Sequence, residues 1–194
     1  KIQLAGLAVA LAGGVSGTAE AGDRTVSTGI DTPLTTSNPD GSSVAGDITI
    51  TTTGSITIDT GESGVTVNTS NDVSNAGTIT STTNSNNING ILLQGGNTGT
   101  ITNTGAITFL EDYVITDTDS DGNLDGNVAT GTNRHGIFLQ AGPTFTGDIV
   151  NSGIITVEGN NSSGITLNGL LTGNLRSTGT INIVGDNSAA IAVN

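Results

Sequence analysis

Nine consecutive residues carry the densest chemistry in the chain: Asp117-Thr118-Asp119-Ser120-Asp121-Gly122-Asn123-Leu124-Asp125. Carboxylates at alternate positions of a tight loop converge on one point, and a hard cation with a preference for oxygen is what such a point suits. The order matches the first nine positions of an EF-hand-like calcium loop. Asp117, Asp119 and Asp121 supply side-chain oxygens, Gly122 permits the sharp turn, and the Asn123 carbonyl and Asp125 complete the set. Val128 stands where that pattern places a bidentate Glu, which lowers the expected affinity toward the millimolar range of extracellular calcium modules. Calcium is therefore the cofactor that the spacing predicts. A solvated acidic loop without an ion is the alternative reading of the same residues.

No other cluster offers reactive chemistry. The chain has one histidine, His135, and no cysteine, so a nucleophile with its base and orienting group is not visible. His135 reads as a turn residue ahead of a strand, and Arg134 beside it as a counter-charge to the acidic loop. Polysaccharide cleavage would need paired carboxylates, or a calcium-assisted Lys or Arg, gathered on one surface. The acidic residues crowd one loop instead, so the sequence predicts a protein that is not an enzyme, with a polysaccharide-degrading enzyme as the alternative.

The loop sits within a repeat, and the repeat dictates what must hold it. Three short strands recur in a fixed order. The first has an inward apolar residue at Ile50, Val73, Ile101, Ile149 and Leu175. The second has Ile56, Ile79, Ile107, Ile155 and Ile181, each with a glycine two positions earlier (Gly54, Gly77, Gly105, Gly153, Gly179) that is expected to form a corner with positive φ. The third follows a pattern of Gly, apolar, any, apolar, Asn or Gln, as in Gly64-Val65-Thr66-Val67-Asn68 and Gly136-Ile137-Phe138-Leu139-Gln140. Alternation with period two turns the apolar residues inward and Thr or Ser outward.

One such unit cannot bury its own apolar face, but stacked units can. The predicted fold is thus all-β: a right-handed single-stranded parallel β-helix (a solenoid) over residues 45–194, with three strands per coil and about five coils. Residues 110–135 form an acidic loop insertion in the middle coil. Two polar ladders are expected to run along the stack. One comprises Thr52, Asn75, Asn103, Asn151 and Ser177, the other Asn68, Gln94, Gln140, Asn168 and Asn194.

Residues 1–21 open with Lys1, continue through an apolar stretch from Leu4 to Val15 and end in Ala19-Glu20-Ala21, the layout of a secretory signal peptide. Residues 22–44 read as a lead-in or N-terminal cap. The chain stops at the end of a repeat at Asn194, so a longer protein is expected. A formal charge of −13, from 17 acidic and 4 basic residues, excludes phosphate-directed binding to nucleic acid and to anionic lipid surfaces. With no cysteine there is no disulfide framework.

With a signal-like segment in front and repeats such as 97–109 (NTGTITNTGAITF) and 150–169 (VNSGIITVEGNNSSGITLNG) behind it, the chain resembles the N-terminal passenger of a bacterial autotransporter, the type V secretion family. That resemblance implies export, translocation by a C-terminal outer-membrane barrel that this sequence does not contain, and display at the cell surface or release. It implies a structural or adhesive stalk whose partners are surface glycans or proteins of host or bacterial surfaces. A scaffold for an activity located beyond residue 194 is a further alternative.

Overall fold

The computed structural model describes residues 22–82 and 84–194. The signal peptide expected over residues 1–21 lies outside the described residues. Every strand pairing is parallel, and no helix occurs among the described residues. Three six-stranded sheets run along the stack, each built from one strand per coil, which is the β-solenoid that the repeat predicts.

The first sheet contains Arg24–Val26, Ile48–Ile50, Val73–Asn75, Ile101–Asn103, Ile149–Asn151 and Leu175–Ser177. The second begins with Gly29–Ile30 and Ser55–Ile58 and ends with Ile154–Glu158 and Thr180–Val184; Ile30, Ile56, Ile79, Ile107, Ile155 and Ile181 form one column. The third aligns Val65, Ile91, Ile137, Ile165 and Ile191, and beside them Val67, Leu93, Leu139, Leu167 and Val193. Apart from the exposed Ile191 and Val193, these residues meet in a single continuous core. Branched aliphatic side chains suit it because each fills the pleat above its equivalent without loss of rotamer choice beyond what a strand already imposes.

There are six coils, one more than the repeat predicts. Residues 24–35, expected as part of a lead-in, form a short coil whose Val26, Ile30 and Leu34 pair with Ile50, Ile56 and Val65 of the next. Its strands are two or three residues long and carry neither the corner glycine nor the closing amide, so the repeat pattern does not reveal them.

Two expectations about the register are corrected. In the second coil the partner of Val73 is Ile48, and Ile50 pairs with Asn75. Ile50 therefore occupies the ladder position assigned to Thr52, which is exposed. The corner of this coil is longer, running Thr51-Thr52-Thr53-Gly54, and counting back from Ile56 at constant spacing misplaces the strand by two residues. A two-residue slip preserves which side chains face inward, so the alternation gives no warning of it.

The corner glycines are also explained differently. None of Gly54, Gly77, Gly105, Gly153 and Gly179 has positive φ. A Cβ on each would collide with backbone carbonyl oxygens of the preceding coil: Val26 for Gly54, Gly54 for Gly77, Gly77 for Gly105, Gly105 for Gly153 and Gly153 for Gly179. The glycine column is a demand for close stacking at the corner, not for an unusual turn.

Beside it runs the asparagine ladder. Asn75 Nδ2 donates to Asn103 Oδ1 at 2.7 Å, Asn103 Nδ2 to Asn151 Oδ1 at 2.7 Å, and Asn151 Nδ2 to Ser177 Oγ at 3.1 Å. All three amides are buried, so each bond replaces one that water would otherwise make. The second predicted ladder is partial: Asn194 Nδ2 donates to Asn168 Oδ1 at 2.7 Å, and Asn68 bonds to Ser37, but Gln94 and Gln140 do not join it.

Gly105→Ala is expected to lower the unfolding free energy by about 1–3 kcal/mol through overpacking of the corner. Thr57→Ala on the outer face should change it by less than about 0.5 kcal/mol. Urea denaturation of the two variants measures the difference.

Candidate functional site

The strand Ala106–Phe109 enters the fourth coil, and the strand Arg134–Leu139 leaves the insertion, which therefore spans residues 110–133. Arg134 and His135 belong to the strand; His135 is not a turn residue. Arg134 pairs in register with Ile88, so a guanidinium occupies a core column and is fully buried.

The neck of the insertion is built around that guanidinium. Arg134 Nη1 lies 3.3 Å from Glu111 Oε1, Nε donates to the Ser85 carbonyl at 2.6 Å, and Nη1 donates to the Glu158 carbonyl at 2.7 Å. Glu111 Oε2 accepts from the Thr130 N–H at 2.9 Å and from its hydroxyl at 3.1 Å, and Oε1 accepts from the Gly131 N–H. Glu158 Oε2 accepts from the Glu111 N–H at 2.7 Å. Residues 111 and 130–134 are thereby clamped together, with coils on both sides bonded to the same group. Burial pulls the Arg134 pKa below its usual value, and the nearby Glu111 and Glu158 oppose that pull. A Cβ at Gly131 would strike both partners of the pair, so only glycine closes over it. The role foreseen for Arg134, a counter-charge to the acidic loop, is thus met at one carboxylate and in the interior.

The head of the insertion stands clear of the stack. Carboxylate oxygens of Asp117, Asp119 and Asp125 lie within 4.8 Å of one another. Asp117 accepts from the backbone N–H of Ser120 at 2.6 Å and of Gly122 at 2.9 Å. Asp125 accepts from the N–H and hydroxyl of Thr118 at 2.7 and 2.8 Å. The Gly122 N–H draws the Asp117 pKa below the ordinary carboxylate range, and Thr118 does the same for Asp125. Gly122 has φ of 95°, as the turn requires. Asp121 is not in the trio; its carboxylate accepts from the N–H and side-chain amide of Asn123. Three of the four predicted metal-site carboxylates are brought together, and the fourth, Asp121, faces Asn123. Val114 and Leu124 on the same loop are 76% and 68% exposed.

His135 Nδ1 lies 2.7 Å from Ser163 Oγ, and its ring stacks on Phe138 with centroids 4.7 Å apart. Burial lowers the His135 pKa below its ordinary 6.5, which favours a neutral imidazole that exchanges a hydrogen bond with the serine. Ser163 is only 2% exposed.

Two rows of polar residues that bond coil to coil escaped the sequence reading. Asn87, Asn133, Asn161 and Asn187 adopt the left-handed conformation just before the third strand, and Asn133 Nδ2 donates to Asn87 Oδ1 at 2.9 Å. Each stands three residues before the third-strand Gly or Ala, a spacing that the sequence displays. Asn is the side chain that tolerates this conformation best after Gly. The second row is acidic: Asp23 accepts from the N–H of Asp47, Asp47 from that of Asp72, Asp72 from that of Thr100, and Asp148 from that of Asn174. Part of the negative charge is therefore stack chemistry unconnected with the loop.

No protein-family model matches the chain, and neither a curated protein nor a solved structure matches it.

Arg134→Met should destabilise the protein by about 3–5 kcal/mol, because Glu111 is left buried without its partner. Adding Glu111→Gln to it should recover part of the loss. Chemical denaturation gives both values, and limited proteolysis should cut the 110–133 segment faster in the single variant.

Proposed function

We propose that the chain is a surface-displayed or secreted autotransporter passenger: a structural and adhesive β-solenoid stalk that presents one acidic loop. The observation that carries this reading is the neck. A regular stack of polar-faced coils is interrupted by one long insertion, and that insertion is held rigid at its base by a fully buried ion pair. A loop that served only as a spacer would have no need of such a costly anchor, whereas a contact element gains from being presented in one orientation. Outward Thr, Ser and Asn supply hydroxyls and amides suited to hydrogen-bonding surface glycans or proteins. The charge of −13 directs the choice of partner away from nucleic acid.

In this reading the chain performs no catalysis, and it reaches the outer membrane or the medium through the type V route. The loop takes calcium through Asp117, Asp119 and Asp125, whose oxygens already approach one another. Asp121 joins after its carboxylate lets go of the Asn123 N–H and side-chain amide, and the Asn123 carbonyl adds a further oxygen. Neutralising that trio rigidifies the head and leaves Val114 and Leu124 as its apolar contacts.

Two measurements test the proposal. With a dissociation constant near 1 mM, about 10 mM calcium should add about 1.4 kcal/mol of stability and raise the melting temperature by about 3–6 °C. Asp117→Asn combined with Asp119→Asn should abolish that rise; no rise in the unmodified protein, or an equal one with magnesium, removes calcium from the reading. Separately, beads coated with the protein should attach to bacterial or epithelial surfaces. Replacing residues 113–128 with a short Gly-Ser linker should leave the melting temperature nearly unchanged and reduce attachment several-fold. Failure of the unmodified beads to attach refutes the adhesive role.

A further inference from the structure

The outer face of the third sheet changes character along the stack. In the fourth coil it carries His135 and Phe138; in the fifth, at the paired positions, Ser163 and Thr166; in the sixth, Ala189 and Ala192. Bulky residues thus give way to small ones on a surface whose backbone continues straight, and the step leaves a cavity of about 260 Å³. His135, braced by its stack on Phe138, forms one wall. The amides of Asn161 and Asn187 border the cavity at the turn before the strands, and those of Asn168 and Asn194 at the turn after them.

The lining contains no carboxylate, lysine or arginine, although the chain as a whole carries −13. Its polar groups are amides and hydroxyls, which donate and accept alike. The side chains of Asn161 and Asn187 make no hydrogen bond to other described residues, and Asn194 Nδ2 donates to Asn168 Oδ1, which leaves Asn168 Nδ2 available. The volume lies just under the ~300–1,000 Å³ of sites that enclose drug-sized molecules, which is room for one ring-sized unit and not for a folded peptide. A ligand that matches this lining is uncharged, is rich in groups that both donate and accept, and has one apolar face to lay against a ring.

We propose that this cavity binds a neutral sugar unit of a glycan. The asparagine amides address its hydroxyls and His135 packs against its ring, while Ser163 and Thr166, buried and bonded to each other and to His135, form the floor. The inference rests on the adhesive reading of the stack and places glycan recognition on the third sheet of coils four to six, apart from the acidic loop.

His135 is the one histidine in the chain, so its ring protons give a single unambiguous NMR reporter inside the cavity. The test titrates the full chain with cellobiose, lactose, maltose and diacetylchitobiose, with sialyllactose as the charged comparison. At least one neutral disaccharide should shift the His135 signals saturably. Ala192→Trp, which fills the cavity from the surface, should weaken that binding at least about tenfold. Asn194→Ala, at the exposed rim, should weaken it by a smaller factor while its circular dichroism spectrum stays that of the unmodified protein. No shift with any neutral disaccharide overturns the proposal, as does unchanged affinity in both variants; tighter binding of sialyllactose than of the neutral sugars overturns the neutral assignment. Bead attachment separates the two readings: if unmodified and Ala192→Trp beads attach equally well, the cavity is not the adhesive site although adhesion stands.

Discussion

Parallel strands stacked at about 4.8 Å govern everything else in this protein. At that spacing each residue lies over its equivalent one coil away, and any group that cannot tolerate its own copy as a neighbour is excluded. Glycine at the corners follows because a Cβ there would enter the carbonyl of the coil below. Buried asparagines follow because an amide has a donor and an acceptor on opposite sides and so satisfies itself along a column. The isoleucine columns follow because a shape that packs on itself once packs on itself indefinitely. Large aromatic residues are scarce for the same reason: the interior of a coil is narrow, and Phe109 and Phe145 are the fully buried exceptions.

An insertion into such a stack poses a specific problem. The chain must leave the second sheet, travel through solvent, and return to the third at the same height. The protein meets this with a charge in the core, and charge in the core is expensive. Arg134 is held by Glu111 from the outgoing side and by carbonyls of Ser85 and Glu158 from the third coil and the fifth. The clamp therefore joins the two ends of the insertion to each other and to both neighbouring coils. The loop head can be exposed and adaptable because its base is neither. The same strand that provides the clamp provides His135 in the following position, pointing outward, so the insertion and the third-sheet cavity share one structural support.

Much of this was readable from residue order. The inward residues of three strands in five coils, the self-bonding asparagines from Asn75 to Ser177, and the acidic head with its turn at Gly122 all follow from rules that act between a residue and its near neighbours or between one repeat and the next. Alternation shows which side chains face inward, and equal spacing shows which residues stack. The first coil was not readable because its strands are short and lack the corner glycine. The second-coil register was misread because a corner two residues longer leaves the alternation intact. Spacing alone puts Asp121 in the carboxylate group with Asp117, Asp119 and Asp125, whereas in the folded loop its carboxylate accepts from Asn123.

By itself the sequence determined a stacked parallel β-solenoid, its inward face and the site of its interruption, because repetition is a property of order along the chain. Only the tertiary structure decided that Arg134 is interior, that the glycines serve close approach and not positive φ, and that Ser163 meets His135. Those outcomes depend on residues 49, 24 and 28 positions apart for Arg134 with Ser85, Arg134 with Glu158 and His135 with Ser163. Whether a charged or polar side chain turns toward the core or away from it is settled by the partners it finds there, and these are supplied by neighbouring coils.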